Sequence, residues 1–128
     1  MSQPNRQTNS QPLENVKAWG EIPVPYSQEA EEATIGGVLL NPNAYYEIGS
    51  TLSGGDFYIL RNRWIWEAFQ ALIEANQPID IITLTHELKA QKRLEEIGGS
   101  AYLMHLLNNV PTSMHTPVYA QLVKAQSI

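Results

Sequence analysis

Three histidines, three pairs of adjacent glycines and two pairs of adjacent glutamates are the features of this 128-residue chain whose chemistry has to be weighed first. His86-Glu87 matches the opening of a zinc-protease helix. That motif needs a second histidine one turn on, and Ala90 stands there. His105 and His115 fall in other segments, so the three histidines read as ordinary surface or core residues. A phosphate-cradling loop needs glycines spaced around a turn and a lysine to neutralise the phosphates. No lysine follows a glycine here, and no G-x-G-x-x-G occurs. The acid pairs Glu31-Glu32 and Glu95-Glu96 point to different sides of a helix, whereas catalytic carboxylates must converge on one substrate. They read as solvated charges favouring helix termini.

The glycine pairs are more informative as punctuation. Leu94 to Thr112 contains a helix stop, a start and a second stop. Gly98-Gly99 can take the left-handed conformation that closes a helix, and Ser100 can cap the next. Leu103, Leu106, Leu107 and Val110 recur at helical spacing until Pro111 ends the run. Gly54-Gly55 reads as another stop. Gly36-Gly37 lies inside a helical pattern, where each glycine costs about 1 kcal/mol against alanine. Close approach of another helix would offset that cost, from within the domain or from another subunit. Gly36 and Gly37 are therefore candidate subunit-packing positions.

The elements around these landmarks are helical. After Pro23 and Pro25, Ser27 can cap a helix with Glu29, Glu31 and Glu32 in its positive first turns. Ala30, Ala33, Thr34, Gly37 and Val38 share one face of it. Asn41-Pro42 ends that helix and opens a second with Tyr45, Ile48 and Leu52 inward. Asp56 opens a third unit anchored by Phe57 and Tyr58. The strongest helix runs from about Arg61 to Ala75 on Ile65, Ala68, Phe69, Leu72 and Ile73, and Asn76-Gln77-Pro78 closes it. Trp64 and Trp66 flank Ile65, so at least one should be partly exposed. Asp80 can cap a shorter helix with Ile81, Leu84 and Leu88 inward. A last helix follows Thr112-Ser113, with Val118, Leu122 and Val123 inward. No segment alternates at period two. The spacing predicts an all-α domain, a compact bundle of about six helices, over residues 23–128. Residues 1–22, built mostly of Ser, Gln, Pro, Asn and Thr, read as a disordered polar tail in which Trp19 alone could dock on the body.

Composition narrows the function classes. Net charge is −5, and Arg6 and Lys17 balance Glu14 and Glu21 before Tyr26, which leaves eleven acids and six bases in the folded part. Binding to nucleic acid rests on neutralising phosphates, so an acidic domain without a basic stripe is no strong independent DNA binder. With no cysteine there is no disulfide and no thiolate metal site. The longest run free of polar side chains, Ile35 to Leu40, is far short of the roughly 20 residues a membrane span needs. No membrane partner and a cytoplasmic, soluble chain are expected.

Seven blocks, in order, resemble one family. They are Pro-Val-Pro-Tyr-Ser-Gln-Glu-Ala-Glu-Glu (23–32), Ile-Gly-Gly-Val-Leu-Leu-Asn-Pro (35–42), Asp-Phe-Tyr (56–58), Pro-Ile-Asp-Ile-Ile-Thr-Leu (78–84), Gly-Gly-Ser-Ala-Tyr-Leu (98–103), Asn-Val-Pro-Thr (109–112) and Tyr119-Ala120. Together they are similar to the amino-terminal domain of the bacterial replicative DNA helicase, the DnaB family. The resemblance implies an all-helical collar domain of a hexameric ring, contributing to assembly and docking the primase. It also implies that ATP and magnesium belong to a separate carboxy-terminal motor, with no catalytic residue, cofactor or metal in this chain. Glu29 and Tyr102 match positions of the family's primase-facing surface, and Tyr102, beside the Leu103 stripe, can bury its ring edge and expose its hydroxyl. The family extends the last helix into a hairpin used in subunit pairing, so the chain reads as an excised domain or a truncated relative. Two other readings stand beside this one. A free-standing adaptor that joins or caps helicase rings shares the surface without the motor. A DNA-binding regulator would need a basic recognition helix, and Lys89, Lys92 and Arg93 sit instead at a helix end, where cations are favoured anyway.

Overall fold

The computed structural model describes residues 27–111 and 115–127. Six α-helices follow in order: α1 (Gln28–Leu40), α2 (Ala44–Ile48), α3 (Leu60–Glu74), α4 (Ile81–Ala90), α5 (Gly99–Asn109) and α6 (Thr116–Gln126). One 3-10 turn, Gly54–Asp56, lies between α2 and α3, and no strand occurs among the described residues. The expectation of a tail over residues 1–22 lies outside the described residues, as do Pro23, Pro25 and the Thr112-Ser113 start of the last helix.

Helix α1 is the axis of the molecule. Ser27 caps it, its Oγ accepting from Ala30 N at 3.0 Å. From Ala30 to Leu39 every residue but Glu32 is buried. A helix buried nearly all round needs neighbours on several sides, and α6, α5 and α3 supply them. The glycine pair permits two of these contacts. A Cβ on Gly36 would sit 2.6 Å from the carbonyl oxygen of Leu106, and one on Gly37 would run into the Thr116 side chain. The close approach at Gly36 and Gly37 is thus made within the domain, by α5 and α6. Their burial removes them from the surface another subunit could touch.

The same contact corrects the expected face of α6. Val123 is buried as expected, but Val118 and Leu122 are about half exposed, and Thr116 and Ala120 are buried in their place. Where two backbones approach this closely, small side chains fill the seam and large ones turn outward.

Helix α3 carries the aromatic core. Trp66 is fully buried, its ring centroid 5.3 Å from those of Tyr45 and Phe57 and 5.6 Å from that of Phe69. Trp64, one position off the stripe, is half-buried with the Arg93 guanidinium 4.7 Å above its ring. Gln77 N–H bonds Leu72 O and Asn76 N–H bonds Ile73 O, with Asn76 at φ 59°, so the expected stop is a six-to-one closure. Helix α4 is capped by Asp80, whose Oδ1 accepts from Ile82 N and Thr83 N. It closes the same way around Lys92.

Three other details depart from expectation. Helix α2 ends at Ile48, ahead of Gly54-Gly55, and Gly54 instead begins the 3-10 turn that Asp56 closes onto Ser53 N. Phe57 is buried but Tyr58 is 67% exposed, at the bend that leads into α3. Ser100 does not cap α5. Gly98 does, at φ 108°, and the helix starts at Gly99, leaving Ser100 exposed in its first turn.

Candidate functional site

The first two turns of α1 present three glutamates, and helical geometry separates them. Glu29 and Glu32, three residues apart, share an outward side, while Glu31 is turned into the molecule. Glu31 is completely buried, contrary to its reading as a solvated terminal charge. Its offsets to Thr34, Ile35 and Val38 place it on the inner face of α1.

Four donors meet the Glu31 carboxylate. Oε2 accepts from Tyr58 N at 2.6 Å and from Gln126 Nε2 at 2.5 Å. Oε1 accepts from Asn62 Nδ2 at 2.9 Å and Ile59 N at 3.3 Å. Helix α3 has no capping side chain of its own, so a carboxylate from α1 satisfies N–H groups at its positive end. Gln126 in turn accepts from Ser27 N at 2.5 Å, tying the last turn of α6 to the first residue before α1.

Asn62, also fully buried, carries the network outward. Tyr102 on α5 donates its hydroxyl to Asn62 Oδ1 at 2.5 Å. The expected exposed hydroxyl is therefore committed inside. Burial, foremost, together with the nearby Glu32 and Glu31 charges, outweighs the opposing pull of Arg61 and pushes the Tyr102 phenol up to about 12. What Tyr102 offers outward is its ring, which Arg61 covers at 4.6 Å and against which His105 stacks at 5.9 Å. His105 Nε2 lies 3.0 Å from Glu32 Oε1. Asn109 Nδ2 donates to the His105 carbonyl at 2.8 Å, which fixes its amide. His105 Nδ1, 3.1 Å from the same nitrogen, is then an acceptor, and Nε2 carries the proton given to Glu32. Glu32 also accepts from Gln28 Nε2 at 2.9 Å and lies 4.0 Å from Arg61.

Beside this stack, Glu29, Glu32, Ala33, His105, Leu106, Asn109 and Pro111 line a groove of about 390 Å³ between α1 and α5. Exposed Glu29 and half-buried Tyr102, far apart in sequence, thus lie on adjoining parts of one face, linked by His105 and Glu32. Gly36 and Gly37 are not part of it. Arg61 and His105, which complete the face, and Asn62, buried behind Tyr102, had no signal in the sequence, since their roles arise from contacts between helices. An acidic rim, a stacked aromatic wall and an apolar floor suit recognition of another protein. Among the described residues no group of three or more His, Cys, Asp or Glu could hold a metal ion.

Comparison with known proteins agrees with this architecture. The family model described as the DnaB-like helicase N terminal domain matches residues 23–125. A replicative DNA helicase DnaB of Pasteurella multocida is 35% identical over all of this chain and 26% of its own length. One from Geobacillus stearothermophilus is 38% identical over 81% of this chain and 23% of its own. The chain thus spans about a quarter of the curated relatives it matches. Among solved structures, the N-terminal domain of DnaB helicase from Mycobacterium tuberculosis superposes with a TM-score of 0.78 at 32% identity. That match covers 80% of this chain and 74% of the other. Family match, sequence identity and fold agree: the chain belongs to the DnaB-like helicase N-terminal domain family.

Proposed function

We propose that this chain is the non-catalytic collar module of a bacterial replicative helicase, serving ring assembly and docking a primase through the α1–α5 face. ATP and magnesium belong in this reading to a motor domain elsewhere in the helicase, because no phosphate loop occurs in this sequence. Its place is the cytoplasmic replisome, and self-association is through the ring. No described helix is long and apolar enough to cross a membrane.

The observation that supports docking here is the convergence of Glu29 and Tyr102 beside one groove. The test is calorimetric titration of the cognate primase carboxy-terminal domain. Tyr102→Ala is expected to weaken binding several-fold or more, since truncating an interface hot spot costs more than about 1 kcal/mol. Glu29→Ala should act more weakly and with a salt dependence that Tyr102→Ala lacks. Equal binding by wild type and Tyr102→Ala, both folded by circular dichroism, would remove this face from the interaction.

A further inference from the structure

The geometry points to Glu31 as the positioning residue of the docking face: acting through Asn62, it obliges Tyr102 to donate its hydroxyl inward, so that a partner reads the ring of Tyr102 and not its hydroxyl. This rests on the docking reading above.

One chain of hydrogen-bond polarity runs from Glu31 through Asn62 to Tyr102. A carboxylate with four donors around it can only accept. Asn62 is therefore required to turn its NH2 group toward Glu31, which leaves Oδ1 facing the other way. A buried amide oxygen needs a donor, and the Tyr102 hydroxyl supplies one at 2.5 Å. Tyr102 has a single hydroxyl proton, so none is left for a partner. Its ring is then clamped between Arg61 and His105, the latter held in place by Glu32 and Asn109. Each link removes one freedom of the ring, and of the residues that do so only His105, Glu32 and Asn109 line the groove. Sequence spacing could not show this, because Glu31, Asn62 and Tyr102 come from three different helices.

The experiment has two arms, on the whole 128-residue chain. In the first, proton NMR looks for a slowly exchanging tyrosine hydroxyl, assigned to Tyr102 by its loss in Tyr102→Phe. It should be present in wild type and lost in Glu31→Gln, whose amide can donate and so lets the Asn62 side chain reverse. Should Glu31→Gln fail to fold, Asn62→Ala carries the same test, because it removes the acceptor and leaves Glu31 three donors. Persistence of the protected hydroxyl in a folded variant of either kind overturns the positioning role. The second arm titrates the primase carboxy-terminal domain. Tyr102→Phe, which keeps the ring but loses its tie to Asn62, should bind more tightly than Tyr102→Ala, which loses several-fold. If both lose binding alike, the hydroxyl is the contact and the inference fails, with the docking reading intact. If neither loses binding, the docking reading fails, while the first arm still decides whether Glu31 positions Tyr102.

Discussion

Glu31 joins α1 to the start of α3 and the end of α6 inside the molecule. Removing its carboxylate leaves two backbone N–H groups and two side-chain amides facing a void. Buried groups without partners cost about 1–3 kcal/mol each, less whatever water recovers. Glu31→Ala should therefore lose about 3 kcal/mol or more in urea denaturation, an effect no surface glutamate would show. Gly37 makes a second prediction at this scale. A methyl there meets the buried Thr116 side chain, and overpacking of a core typically costs about 1–3 kcal/mol. Gly55, whose added Cβ would find its nearest neighbour at 3.9 Å, is the control: Gly55→Ala should be neutral or slightly stabilising. Thermal melts of the two variants separate packing from backbone effects.

At the scale of elements, the 3-10 turn is held to α6 by Asp56. Burial alone would push the Asp56 carboxyl up. The Ser53 backbone N–H, the Ser127 hydroxyl and Lys124, 3.3 Å away, outweigh it and hold the group below the ordinary carboxylate value of 3.8. A depressed carboxyl contributes stability that is present above its unfolded pKa and is lost as pH falls through its folded one. Melting temperature measured from pH 6 downward should thus fall more steeply below about pH 4 in wild type than in Asp56→Asn. The gap between the two should close in acid.

Elements were also what the sequence disclosed best. The caps at Ser27 and Asp80 and the stop at Asn76 are local chemistry, and they stand where residue type alone put them. Periodicity identified the inner residues of α3 and α5, because each buries one stripe against one layer. It misjudged α6, where the depth of approach to α1 and not apolarity decides which side faces in. It misjudged Glu31 for a related reason: charge argued for solvent, while the donors that make burial favourable come from α3 and α6, distant in sequence. Of the proposed docking face, Glu29 and Tyr102 came from family resemblance. The Arg61–Tyr102–His105 stack that joins them was not legible, because stacking has no sequence period.

The whole molecule is a helical domain of net charge −5 whose polar networks run between helices and whose α1–α5 face combines carboxylates with stacked rings. Such a surface favours protein contacts over phosphate binding. An isolated copy lacks the avidity of a ring, so its binding to a partner is best followed by a method that detects weak association. The most direct measurement is amide NMR of the labelled chain during titration with the cognate primase carboxy-terminal domain. The account predicts that the largest shifts cluster at Glu29, Ala33, Tyr102, His105 and Asn109. Shifts centred on the outer faces of α4, at Ile82 and His86, or of α6, at Val118 and Leu122, would contradict it, as would no shift at millimolar partner.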